Sequence, residues 1–160
     1  MKSTDYWHKK IIEPIKALLK QGLTPEKLVL SIAFGIALGL FPVIGSTTIL
    51  CTAAALILHL NLPAIQLVNY LVYPLQIILL IPFYRAGEWL FQLEPLPLSA
   101  TAIITMIKED AWSAINYLWD TTLAAMVVWC LVAPILIFVL YRTLLPLVRK
   151  LSFKSNGFSK

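Results

Sequence analysis

Between Leu28 and Tyr84 the chain has no Asp, Glu, Lys or Arg, a gap of 57 residues. Charged residues make up 13% of the whole, where a soluble domain carries roughly 25%. A fold facing water on all sides is therefore not expected. Cysteine and histidine are also scarce. Cys51 and Cys130 both lie in apolar runs and read as small buried hydrophobes, and His8 and His59 are the only imidazoles. That leaves no disulfide framework and no clustered ligands for a structural metal. The membrane-like run has no carboxylate pair, no H-E-x-x-H and no Gly-rich phosphate loop. The expectation is a protein that is not an enzyme and carries no cofactor. A cleaved signal peptide is not expected either, because 27 mixed residues precede the apolar run and no short h-region with a cleavage site is present.

What is present points to a bilayer. About 20 apolar residues span its hydrocarbon, so the uncharged run is too long for one crossing. The charges sort by position. Residues 1–27 hold six basic and three acidic side chains, residues 85–120 two basic and five acidic, and the tail from Arg142 five basic and none acidic. Lys and Arg are retained on the cytoplasmic side, which places both termini inside and the middle loop outside. The net charge of +5 is then a topology signal, and no nucleic-acid partner is expected because the basic residues flank membrane segments. Membrane lipids are the expected partner.

The fold class expected is an all-α integral membrane protein of one domain, 1–160, with a re-entrant or broken helical hairpin, kinked and straight transmembrane helices, and amphipathic interfacial helices. Residues 5–21 alternate apolar and lysine faces, as in a helix lying on a cytoplasmic leaflet or on the protein's own surface. Thr24-Pro25-Glu26 carries helix-start signals. Residues 28–60 form two arms of about 13–15 residues around Phe41–Ser46, each ~20 Å long and short of a ~30 Å crossing. A re-entrant hairpin and a broken helix with a tight return both fit, and the hairpin is preferred. Gly35 and Gly39 form a G-x-x-x-G face expected to bring the two arms together. Residues 63–92 read as a transmembrane helix kinked at Pro74 and Pro82, and 99–119 as an outer interfacial helix. Residues 121–141 read as a straight span and 142–160 as a basic cytoplasmic tail ending in disorder.

The chain breaks at Gly39, Pro42, Gly45, Pro63 and Pro74 carry the functional reading. Irregular backbone does not survive against lipid, so such breaks must be buried in protein or line a wet cavity. Ser46, Thr47 and Thr48 would open the second arm of the hairpin, while Gln66, Asn69, Tyr73 and Gln76 surround Pro74. If the breaks face each other, these residues enclose an uncharged polar pocket, the candidate substrate site. Arg85 is a candidate for a phosphate headgroup, or it pairs with Glu88 at i,i+3. The structural alternative is that the hydroxyls cap helices and the amides satisfy freed carbonyls.

Gly39-Leu40-Phe41-Pro42-Val43-Ile44-Gly45-Ser46-Thr47-Thr48 is a recognisable string. With Asn61-Leu62-Pro63, Asn69…Pro74-Leu75-Gln76 and Arg85-Ala86-Gly87-Glu88, it resembles the small bacterial membrane proteins of domain-of-unknown-function family 2062, over about residues 25–92. Family members often carry Asn directly before the second proline, where this chain has Tyr73. The resemblance implies a fold and a bacterial inner-membrane location, and no activity. The paired breaks are more distantly similar to DedA-type lipid transporters, whose re-entrant loops carry acidic and arginine residues absent here. The functional expectation is a transporter or flippase-like lipid-handling protein with a polar site between two broken helices. The alternative is a non-transporting membrane accessory protein docking through 5–21 and 99–119. A homo-oligomer and a membrane-protein partner are compatible with both.

Overall fold

Thr24 starts the first helix of the computed structural model, which describes residues 24–97 and 99–156. Its hydroxyl oxygen accepts the Lys27 amide at 3.3 Å, Pro25 needs no donor at that position, and Glu26 sits at the positive helix end. The described residues form five helices in order and no strand. They are α1 Pro25–Gly39, α2 Thr47–Ile57, α3 Leu62–Phe91, α4 Ala100–Glu109 and α5 Ala111–Asn156. The amphipathic segment expected at 5–21 lies outside the described residues.

α1 is wedged between α3 and α5, and this explains its composition. Small residues line two of its faces. A Cβ on Gly35 would lie 2.9 Å from Ile65 O and from Val68 Cβ, and one on Gly39 would lie 3.2 Å from Asn69 Oδ1. The glycine face therefore meets α3. The expectation that it joins the two arms of the hairpin is corrected, because a small-residue face signals close approach without naming the partner. Ala33 and Ala37, both fully buried, share a second face.

The two ends of the bundle are tied differently. At one end Leu28, Val29, Ala64 and Val148 form a core, and Arg149 Nη2 donates to Glu26 Oε1 at 2.7 Å. The start of α1 and the end of α5 therefore share that end. The turn into α3 is there too. Ser31 Oγ accepts the Asn61 amide at 2.9 Å, and Asn61 Oδ1 accepts Ala64 N–H at 2.8 Å to cap α3. At the far end Gly87 lies against α5 so closely that a Cβ would be 2.7 Å from Ala124 C.

Three expectations about the elements are corrected. α3 is one continuous helix through Pro74 and Pro82, and Pro63 lies in its first turn, where proline fits, so neither Pro63 nor Pro74 interrupts the chain. The region 99–119 is two helices parted at Asp110. That carboxylate caps α5 by accepting Trp112 and Ser113 amides at 3.0 and 3.2 Å, while Asp110 itself is extended. No boundary falls at 120/121 or at 141/142, because α5 runs unbroken to Asn156, and the tail expected to be disordered is helical that far. A charge on an exposed helix face, such as Asp120, costs little and does not end a helix.

α3 and α5 are long and apolar enough to cross a membrane. Large apolar side chains point outward along both, among them Leu71, Ile78, Leu131, Ile135 and Phe138. A water-facing protein seldom exposes so continuous an apolar surface.

Candidate functional site

The turn between α1 and α2 is where backbone is least satisfied by its own helix, and two side chains from other helices complete it. Leu40 N–H reaches Ile36 O normally, but Phe41 N–H tightens onto Leu38 O at 3.1 Å. That leaves the Ala37 carbonyl free, and the Trp129 indole N–H of α5 donates to it at 2.9 Å. The Phe41 carbonyl accepts Gln76 Nε2 of α3 at 2.7 Å. The Phe41 ring stands edge-on to Trp129, with centroids 4.9 Å apart. Pro42 is fully buried, and Gly45 adopts φ +89°, open to glycine without strain.

This contact fixes the depth of the turn. Gln76 is the fifteenth of the 30 residues of α3, about 21 Å from Leu62 at 1.5 Å per residue. The hairpin of α1 and α2 thus ends beside the midpoint of α3 and returns to the end where it began.

Gln76 is 1% exposed. Its Nε2 is spent on Phe41, and its Oε1 is buried with no hydrogen-bond partner. A buried acceptor left alone costs about 1–3 kcal/mol. Beside it runs a ladder of amides. Gln66 Nε2 donates to Thr48 O at 3.0 Å and to Thr52 Oγ1 at 2.9 Å, and Asn69 Nδ2 approaches Gln66 Oε1 at 3.4 Å. Asn69 is itself buried against Gly39.

The structure therefore brings together Thr48, Gln66 and Asn69, and separately joins Gln76 to the turn. Thr47 is buried at the start of α2. Ser46 is not a cap, since its hydroxyl donates back to Val43 O at 2.9 Å within the turn. Tyr73 and Pro74 face outward and take no part. The polar groups meet one true break, Phe41–Ser46, and an unbroken helix; the second break of the sequence reading is absent.

Arg85 lies nine residues beyond Gln76, about 13 Å further along α3. Its Nη1 pairs with Glu88 Oε2 at 2.8 Å and its Nη2 reaches Leu96 O at 3.3 Å, while Glu88 Oε1 accepts Leu96 N–H at 2.7 Å. The pair folds the segment after α3 back onto its end. A cavity of about 640 Å³ opens there, lined by Arg85, Glu88, Trp89, Gln92 and Pro95 among others. Among the described residues no three His, Cys, Asp or Glu side chains gather as metal ligands.

Trp129 was not among the candidate site residues read from the sequence. An indole at the middle of an apolar span is itself a signal, because its N–H must find an acceptor when buried. Ser31, wholly buried and bonded across to Asn61, has the same kind of signal in a hydroxyl at the centre of an uncharged helix.

No curated protein and no solved structure matches the chain. A family model described as "Uncharacterized protein conserved in bacteria" matches residues 9–154, well beyond the 25–92 that carry the motifs, and the chain belongs to that family, DUF2062.

Proposed function

We propose that the chain is a protein of the bacterial inner membrane, with both termini cytoplasmic, that handles a lipid or small uncharged substrate at the hairpin turn. In this reading α1 and α2 form a re-entrant hairpin and α3 and α5 cross the bilayer, α3 bending at its prolines. The observation that carries the reading is the buried, unpartnered Gln76 Oε1 beside the interrupted backbone of the α1–α2 turn. An acceptor without charge nearby favours a donor such as a hydroxyl or amine, as in lipid headgroups. No catalysis is assigned to the site.

The end-to-end tie of Glu26 to Arg149 supports the topology, since the charge pattern puts both of those ends inside. Reconstitution tests the function. Vesicles holding fluorescent phosphatidylethanolamine or phosphatidylglycerol should exchange label between leaflets faster with the protein, and the gain should vanish in Gln76→Met. Exchange no faster than in empty vesicles removes the lipid-handling reading.

A second reading, docking to another membrane protein, has one observation in its favour. Ile104, Trp112, Ile115 and Trp119 all stand exposed near the α4–α5 junction, with Trp112 at 72%. Stoichiometric co-purification of a partner, lost in Trp112→Ala, would support it.

A further inference from the structure

We infer that a groove between α1 and α5 holds one anionic phospholipid of the inner leaflet, its acyl chain in the groove and its phosphate between Lys27 and Arg142. The inference rests on the membrane reading above and concerns a site apart from the hairpin turn. Leu30 and Phe34 of α1 line the groove with Pro134, Ile137, Phe138 and Tyr141 of α5, around a cavity of about 510 Å³. The lining is apolar apart from the Tyr141 hydroxyl. Its volume is that of a ligand pocket, about 300–1,000 Å³, and the wall from Pro134 to Tyr141 is about 10 Å long. In a bilayer such a cleft fills with hydrocarbon, because an empty one forfeits the dispersion contacts of its lining.

One end of the groove lies where α1 begins, since Tyr141 packs on the core of Leu28, Val29, Ala64 and Val148. Two cations stand there. Lys27 precedes Leu30 by three positions and Arg142 follows Phe138 by four, so each shares a helix face with a groove residue. Both are exposed.

Charge selects the headgroup. Residues 24–30 and 142–150 hold four cations, Lys27, Arg142, Arg149 and Lys150, and one carboxylate, Glu26. Glu26 is spent on Arg149. Lys27 and Arg142 have no ion-pair partner among the described residues, so an anion from outside the fold is what complements them. Basic positions between apolar helices at the cytoplasmic side are where anionic headgroups dock. A second copy seated on this groove through a twofold axis would set like charges against each other. A phospholipid instead joins an anion to a hydrocarbon chain, the order in which the cations and the groove follow one another.

Native mass spectrometry tests this on full-length protein released from micelles that hold phosphatidylglycerol and phosphatidylcholine of identical chains. The parent should retain one phosphatidylglycerol. At about fivefold per cation its preference should be roughly 25-fold, falling to near one in Lys27→Gln/Arg142→Gln. Leu30→Trp, which fills the groove and keeps both cations, should lose either lipid. Lys108→Gln, which removes a cation of α4, should change nothing. Equal retention of the two lipids by the parent, lipid still held by Leu30→Trp, or a Lys108→Gln loss as large as that of the double variant overturns the site. So does a photo-cross-linker placed at position 138 that captures residues 1–23 of the chain in place of a lipid. Alkaline carbonate extraction separates the failures. Protein released from membranes sinks the membrane reading itself, whereas protein retained without preference for phosphatidylglycerol sinks only this site.

Discussion

Replacing Gln76 by Met keeps the length of the side chain and removes both of its polar atoms, so its effect on stability reports on what Oε1 touches. Two terms compete. Loss of Nε2 leaves the Phe41 carbonyl without its 2.7 Å donor, a penalty of about 1–3 kcal/mol for an acceptor away from water. Loss of Oε1 depends on its state. If that atom is dry and unpaired, its removal returns about 1–3 kcal/mol, and the two terms cancel to within about 2 kcal/mol of the parent. If a water or substrate group fills the site, a second hydrogen bond worth roughly 1 kcal/mol is lost as well, and the total reaches about 2–4 kcal/mol. The larger loss is expected. Unfolding by SDS in mixed micelles, followed through the fluorescence of Trp129, whose ring packs on Phe41, measures it. A Met variant as stable as the parent, or more so, would refute the idea that Oε1 has a partner.

Other consequences follow from single contacts. Gly87→Ala should destabilise by about 1–3 kcal/mol, because the new methyl meets backbone atoms of Ala124 and Ala125 that cannot move aside; thermal unfolding in detergent checks it. Gly45→Ala meets no atom, yet its φ of +89° should still cost about 1–2 kcal/mol, with no change in how the hairpin packs. Trp129→Phe keeps an aromatic edge for Phe41 but orphans the Ala37 carbonyl, for a loss of about 1–3 kcal/mol. The Glu26 carboxyl is held below its usual range, chiefly by its hydrogen bond to Arg149. A lowered pKa contributes stability above the ordinary glutamate range and loses it as pH falls through the lowered value. Acid titration of unfolding should therefore show a step that Arg149→Gln abolishes and that salt weakens, since both groups are exposed.

Much of this architecture was legible in the sequence. The uncharged run marked the buried and outward-facing helices, and Phe41–Ser46 was readable as a turn from Pro42 and Gly45. Thr24-Pro25-Glu26 marked the start of α1, and the i,i+3 spacing of Arg85 and Glu88 marked their pair. What could not be read has a common cause. The single helix over 63–92 was legible, but Pro74 was also read as a break, whereas within a long apolar helix neighbouring groups can take up the freed carbonyl and the helix continues. Gly35 and Gly39 announced close contact without saying with which helix. Asp110 was counted as a surface charge, although its place before Ala111 made it a cap. The polar residues near Pro74 were grouped by sequence distance, whereas helical phase turns Tyr73 outward and Asn69 and Gln76 inward.

In the proposed function the hairpin ends at mid-bilayer, where the buried Oε1 of Gln76 on α3 is the acceptor for a ligand donor. A high-resolution structure in lipid nanodiscs would decide this. The Phe41–Ser46 turn should lie beside Gln76 at half depth, with a water or headgroup donor within hydrogen-bond distance of Oε1. A turn lying at the membrane surface, or Oε1 packed dry against side chains, would contradict it.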